Sequence, residues 1–205
     1  MNADRSKALQ ALYTEVHQCE RCPLHVGRTH AVPGDGPIDA DIMFIGEAPG
    51  FHEDQQGIPF VGAAGKFLNE LLEGAGIERD KVYITNVIKC RPPGNRDPQQ
   101  EEVQACAPYL DRQIELINPK VIVTLGRHSM ARAFPDEKIS VVHGNPRKLG
   151  DQVYFPMYHP AAALHQPSLR TTVEADFARL RQLLDGELLP DEYTPPPDVE
   201  QLSLF

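Results

Sequence analysis

The sequence predicts a three-layer α/β/α sandwich around a central, mostly parallel four-stranded sheet. Three observations carry that expectation. Apolar, partly β-branched runs at 42–46, 81–89, 120–125 and 152–157 read as strands, separated by segments of helical periodicity. Runs that are apolar on both faces suit parallel strands covered on both sides. Finally, Glu47, Asn86 and His159 fall at or near the carboxyl ends of three different strands. Parallel α/β folds collect their ligands at that edge.

The elements follow in order. Residues 3–18 form a helix with Leu9, Leu12, Tyr13 and Val16 on one face. It ends at Cys19-Glu-Arg-Cys22-Pro, and a loop rich in Gly and Pro runs over 23–40. The first strand, 42–46, exits through Gly46 into Glu47-Ala48-Pro49-Gly50. A polar loop then leads to Pro59-Phe60-Val61-Gly62 and a helix over about 63–75, with Leu68, Leu71 and Leu72 inward. Phe60 reads either as a core aromatic pinning that helix or as a surface for a ligand. The second strand, 81–89, carries Asn86, which if buried must satisfy backbone groups or point into a site. The stiff segment 90–98 is made basic by Lys89 just before it and by Arg91 and Arg96, and it precedes a helix over 99–117 that contains Cys106. After the third strand, 120–125, Gly126-Arg127-His128-Ser129 opens a short helix whose free N–H groups suit a phosphate. Weaker strands at 139–143 and 152–157 flank a Gly-Asn-Pro-Arg-Lys turn. His159-Pro160 then leads into a small-residue loop and a last helix over about 171–184. No internal repeat is visible.

A chain of 205 residues, 41% hydrophobic, supports one sizeable domain, taken here as 1–185. There is no charge-free apolar stretch long enough for a membrane span and no signal-peptide pattern at the start, so an intracellular, cytoplasmic protein is expected, taken as a monomer. The net charge of −9 is unevenly spread: six acids and no Lys or Arg lie from Asp185 onward, leaving −3 on the first 184 residues. Bulk charge therefore neither supports nor excludes nucleic acid as a partner. Cys19, Cys22, Cys90 and Cys106 are spaced C-x2-C and C-x15-C. In an intracellular chain they are not expected to form structural disulfides. A redox dithiol, a zinc site, an iron–sulfur cluster or four buried thiols all remain open. The wide second pair favours a cluster over zinc.

Taken together, these pieces resemble the iron–sulfur uracil-DNA glycosylases of bacteria and archaea, called family 4. The resemblance runs from about Cys19 to Leu184. It rests on Cys19-x2-Cys22, Gly46-Glu-Ala-Pro-Gly50, Gly57-Ile-Pro-Phe-Val-Gly62 and Tyr83-Ile-Thr-Asn86, then on Lys89-Cys-Arg-Pro-Pro93, Cys106, Leu125-Gly126 and His159-Pro-Ala161. Each piece is short, but their combination in this order is specific. The resemblance implies a uracil-DNA glycosylase-like fold, a [4Fe-4S] cluster on the four cysteines, and excision of uracil from DNA by a monofunctional hydrolase. It also implies roles: Gly46 and Asn86 in uracil binding, Phe60 in base stacking, and His159 as donor to uracil O2. Glu47 would place the attacking water. Residues 161–166 would probe the minor groove, with Ala163 and Leu164 as candidates for the wedge. Arg91, Arg127 and Ser129, with Arg147 nearby, are the expected phosphate contacts. Ala48 and Gly50 depart from the better-known family 1, which carries an aspartate and a thymine-excluding tyrosine there, so thymine exclusion would fall to Glu47 or its packing.

From Gly186 the chain is acidic and proline-rich and reads as an extended tail. Its end, Gln201-Leu202-Ser203-Leu204-Phe205, resembles the bacterial sliding-clamp binding motif, with Gln201, Leu202, Leu204 and Phe205 as the contacting residues. Two other readings stay open on sequence alone. One is a broader glycosylase acting on hypoxanthine, xanthine or mismatched thymine. The other is a non-catalytic DNA-binding iron–sulfur protein.

Overall fold

Alternate side chains of the central strands divide between two faces, and this division builds the layers. The computed structural model describes residues 2–194. Its sheet contains β1 (Ile42–Gly46), β2 (Val82–Asn86), β3 (Val121–Leu125), β4 (Arg147–Leu149), β5 (Gln152–Met157) and β6 (Asp191–Glu192), in the order β2-β1-β3-β5-β4-β6. The first four in that order run parallel, β4 is antiparallel to β5, and β6 is parallel to β4. The helices are α1 (Asn2–His17), α2 (Leu24–Gly27), α3 (Phe51–Gln56), α4 (Ala63–Gly74), α5 (Gln100–Ile117), α6 (Arg127–Met130), α7 (Ile139–Val142), α8 (Pro160–His165) and α9 (Arg170–Leu184).

Met43, Ile45, Tyr83 and Ile122 pack against Leu9, Leu12 and Val16 of α1 and Tyr109, Leu110 and Ile117 of α5. On the other face, Phe44, Ile84 and Val123 meet Leu68 and Leu72 of α4 and Phe177 and Leu180 of α9. The Phe44 and Phe177 rings stack 6.1 Å apart. Burying each such side chain stabilises the fold by about 1.5–3 kcal/mol. The expected three layers are therefore present, with every residue of β1, β2 and β3 buried. The register sets Gly46 beside Asn86 and Leu125 beside Met157, so the carboxyl ends of the parallel strands form one edge.

Several local expectations are corrected. The sheet has six strands, because β4 and the two-residue β6 extend the parallel four. The polar stretch after Gly50 is not a loop but α3; it lacks apolar periodicity because its one buried residue is Asp54, which accepts from Thr29 N. Gly57, at φ 71, ends it by donating its N–H to Glu53 O at 2.7 Å. The β-branched residues 139–142 form α7 rather than a strand, with only Val142 buried. Tertiary context overrides propensity there. The small-residue stretch after His159 is α8, where Pro160 takes the first position and alanines favour the helix. The second strand stops at Asn86: Val87 N makes the last ladder bond, to Gly46 O, and the alternation breaks at Ile88, whose N–H also turns to β1's side and donates to Glu47 O.

The chain past Gly186 is held to the domain as far as Tyr193. Asp191 N donates to Pro146 O, and the Tyr193 ring sits 4.7 Å from that of Phe134. The pentapeptide with Gln201, Leu202, Leu204 and Phe205 lies outside the described residues.

Candidate active site

Asn86 ends β2 with its side chain only 1% exposed, and its Oδ1 has no hydrogen-bond partner. An orphaned buried acceptor is costly, by about 1–3 kcal/mol, unless a ligand completes it. Gly46 lies directly beside it in β1. A Cβ on Gly46 would overlap Asn86 Oδ1 and lie 2.7 Å from Phe60 Cζ. The glycine is thus the gap through which Asn86 and Phe60 face one space. On the activity that the resemblance implies, Gly46→Ala is expected to cost about 100-fold in rate, by the scale of an ångström-sized misplacement. Single-turnover kinetics on a variant with an unchanged circular-dichroism spectrum check this.

Phe60 is held in a backbone conformation that aromatic residues rarely adopt, at φ 55. Strain of this kind persists only where the surroundings over-determine it. Glu53 supplies part of that constraint: its Oε1 accepts from Val61 N at 2.9 Å and Gly62 N at 2.8 Å. Gly65 supplies another, because any Cβ there would overlap the Phe60 carbonyl. The Phe60 ring lies 5.5 Å from the His159 ring, with 26° between their planes.

His159 follows β5 and caps α8. Its Nδ1 accepts from Ala161 N at 3.1 Å, so the ring proton resides on Nε2. Burial pushes its pKa down to about 4. The side chain is therefore a neutral imidazole with a fixed N–H donor. Glu47 follows β1 and is half-buried; its Oε1 accepts from His128 N at 3.2 Å. Burial raises its pKa above the ordinary glutamate value, and the His128 contacts oppose that shift. Gly126, at φ 97, is required twice, because a Cβ there would also overlap the Glu47 carboxylate. Asp97, paired with Arg127, and the His128 ring complete the polar group around Glu47.

A family model for the uracil DNA glycosylase superfamily matches residues 33–184. The type-4 uracil-DNA glycosylase of Sulfurisphaera tokodaii is 50% identical over 197 residues, covering 91% of this chain and 88% of that protein. That of Archaeoglobus fulgidus is 47% identical over 86% of this chain and 94% of its own length. The type-4 protein of Thermotoga maritima is 44% identical over 89% and 98%.

The chain belongs to the uracil DNA glycosylase superfamily.

Four residues that this superfamily chain was expected to bring together, Gly46, Phe60, Asn86 and His159, form one cluster through the contacts above. Glu47 leaves the same sheet edge, next to Gly46. The expected DNA contacts are placed unevenly. Arg91 is aligned by Asn95, whose Oδ1 accepts from its Nε at 2.6 Å, and its guanidinium lies 5.1 Å over the exposed Phe51 ring. Arg127 is exposed and paired with Asp97. Ser129 is buried, and its hydroxyl donates to Gly126 O at 3.1 Å, so it shapes the turn rather than the surface. Ala163 is buried, whereas Leu164 on the next position of α8 is 43% exposed. Arg147 donates to Glu137 at 2.6 Å and lies over the Phe134 and Tyr193 rings, away from a free surface role.

The sequence drew no attention to Glu53, Asp97 or Gly65, and it gave Gly126 and His128 only as part of a helix start, not as neighbours of Glu47. Glu53 sat in a stretch read as a solvated loop. Gly65 is required by the Phe60 carbonyl and Gly126 by the Glu47 side chain, contacts that composition does not reveal.

Cys19, Cys22, Cys90 and Cys106 line one pocket between α1, the β2 exit and α5. Arg28 donates to Cys90 Sγ at 3.3 Å and to Cys19 O at 2.7 Å, tying the two cysteine pairs together. Burial raises the pKa of Cys22, Cys90 and Cys106, the last to about 11. As free groups they are protonated thiols; a bound metal centre is what would make them thiolates.

Proposed function

We propose that this chain hydrolyses the N-glycosidic bond of uracil in DNA and leaves an abasic site. The observation that carries this reading is the unpartnered Asn86 Oδ1, buried beside Gly46 and Phe60. An acceptor there takes uracil N3–H, while the amide NH2 gives to O4. Cytosine presents the opposite pattern at both positions and leaves each group mismatched. The type-4 relatives support the same substrate by their names.

Because the glycosidic bond is inaccessible in a stacked duplex, the nucleotide must be flipped out. In this reading the exposed Leu164 hinders its return, and Arg91 and Arg127 hold phosphates. Phe60 offers a stacking face worth about 1–3 kcal/mol per base. As the bond breaks, negative charge grows on uracil O2. The fixed Nε2–H of neutral His159 donates to it, as in an oxyanion hole. Glu47, when ionised, orients the attacking water and favours the cationic sugar. No lysine acts as nucleophile in this reading: the Nζ of Lys89 is engaged by three oxygens beneath Asn86. The reaction is thus a hydrolysis without a Schiff base.

The four cysteines suit a [4Fe-4S] cluster. All four line one pocket and Arg28 bridges the two pairs, and four soft sulfur donors from distant parts of the chain are what such a cluster takes. When bound, the cluster supplies a covalent tie between the α1 end, the β2 exit and α5. Cys106→Ser is expected to lose absorbance near 400 nm and to melt at lower temperature than the unaltered protein. Retained absorbance in that variant would count against Cys106 as a ligand. For the tail, we read the pentapeptide 201–205 as a tether to a sliding clamp. Deleting it should abolish clamp binding in a pull-down and leave excision on naked DNA unchanged.

The reaction is tested on a labelled oligonucleotide with one uracil, beside matched strands with thymine, cytosine or hypoxanthine. Alkali scission confined to the uracil strand is expected. Tight DNA binding with no scission at any base would overturn the enzymatic reading.

A further inference from the structure

Lys89 is the one lysine fully withdrawn from solvent among the described residues, 1% exposed. Its Nζ donates to Thr85 Oγ1 at 2.6 Å, Gln113 Oε1 at 2.6 Å and Asn86 O at 2.8 Å. Three acceptors match the three hydrogens of an ammonium group. The surrounding network is also complete. Thr85 Oγ1 donates to Pro33 O, and Gln113 Nε2 donates to Pro33 O and to Tyr83 OH, which meets Tyr13 OH at 2.7 Å.

Stability alone does not call for an ammonium here. An apolar side chain of similar length would fill the same volume without desolvating a charge. What the ammonium adds is a fixed position for three oxygens, and one of them belongs to the peptide of Asn86. That carbonyl has a particular need. β2 is the edge strand of the sheet, and its outer side is paired with Asp35 only at Ile84. Asn86, two residues on, presents its carbonyl on the same outer side, beyond the last strand partner. Lys89 takes the place of the missing neighbour.

We propose that Lys89 is a positioning residue for uracil recognition, locking the peptide of Asn86 so that its side-chain amide faces the base. The inference rests on the reading of Asn86 as the uracil reader. It also explains why the pocket and the cysteine site adjoin. Lys89 precedes Cys90, and its partner Gln113 lies two helical turns beyond Cys106 on the same face of α5. One cation therefore ties the base-reading residue to the segments that carry two of the four cysteines. Rotation of the Asn86 peptide would swing Oδ1 out of its gap beside Gly46, where no room is left for even a methyl group.

The test compares Lys89→Met with unaltered protein under single turnover, alongside inhibition by free uracil and affinity for abasic-site DNA. We expect excision to slow about 10- to 100-fold. Inhibition by free uracil should weaken in parallel, while abasic-DNA affinity and the 400 nm absorbance are retained. A merely structural lysine would lower the melting temperature and leave uracil inhibition of the folded protein untouched. Should Lys89→Met fail to fold, the double variant Lys89→Met/Gln113→Leu removes the cation together with an acceptor it would orphan, and the same losses are expected. A folded variant whose single-turnover rate and uracil inhibition stay within twofold of normal overturns the proposal. Asn86→Ala runs beside it. An inactive Asn86→Ala next to an unimpaired Lys89→Met removes Lys89 alone. An active Asn86→Ala removes the pocket reading, and this inference with it.

Discussion

His159→Ala is expected to slow single-turnover uracil excision by about 100- to 1,000-fold, the scale of losing one fixed donor to a developing oxyanion. The argument rests on how the ring is held. Ala161 N–H engages Nδ1, which leaves Nε2 as the donor, and Phe60 lies along the ring's face. Alanine removes the donor and opens space beside Phe60, but it leaves Asn86 and Gly46 in register. Substrate binding should therefore change less than the chemical step. Product inhibition by uracil and single-turnover rates, measured on the same preparation, separate the two. A variant within fivefold of the normal rate would sink the assignment of His159 as the O2 donor.

The same geometry fixes the pH dependence. A histidine whose pKa is about 4 stays neutral through the usual imidazole range, so it contributes no acid limb near pH 6.5. Glu47 has a raised pKa and must be ionised to act. Activity should fall as pH drops through a value above that of an ordinary glutamate, and Glu47→Gln should abolish that limb along with most of the rate. Stability carries a separate signature. Between about pH 6.5 and 4 the unfolded His159 binds a proton that the folded one refuses. Stability conferred by its neutral burial is full above that window and is lost as pH falls through it. His159→Ala should melt with a weaker pH dependence across the same interval. Glu47 acts in the opposite sense, since its folded carboxyl holds a proton more readily than the unfolded one.

The layers were legible because β1 and β3 are apolar on both faces, a pattern with few alternatives. The pocket was legible because Glu47, Asn86 and His159 are polar groups at the ends of such strands. What failed to show was local structure that tertiary contacts dictate. Residues 139–142 are β-branched yet helical. Residues 51–56 look solvated, yet Asp54 is buried and accepts from Thr29 N. Ser129 looked like a phosphate contact, but its hydroxyl turns inward to Gly126 O. The supporting roles of Glu53 and Gly65 depend on the fold of the 53–65 segment, and that of Gly126 on Glu47, far away in sequence. Lys89 is the instructive case. A basic residue beside a basic loop reads as a surface charge, and only the packing of α5 against β2 reveals three buried oxygens around it.

Asn86→Asp separates recognition from packing more cleanly than any truncation. The replacement is nearly isosteric, so the tight contacts with Gly46 and Phe60 survive. The hydrogen-bond pattern does not. An ionised carboxylate only accepts, so one oxygen still takes uracil N3–H while the other faces O4 across two lone pairs. It also places a negative charge against a base that is itself becoming an anion. Both effects oppose the transition state, and a loss of about 1,000-fold, or about 4 kcal/mol, is expected. Cytosine suffers less, because its exocyclic amine donates where uracil O4 accepts. The ratio of uracil to cytosine excision should therefore narrow even as both rates stay low. Competition between matched strands measures that ratio directly. A variant that keeps both its rate and its preference for uracil would mean that the amide does not read the base, and that discrimination resides in the walls around Phe60 and Glu47.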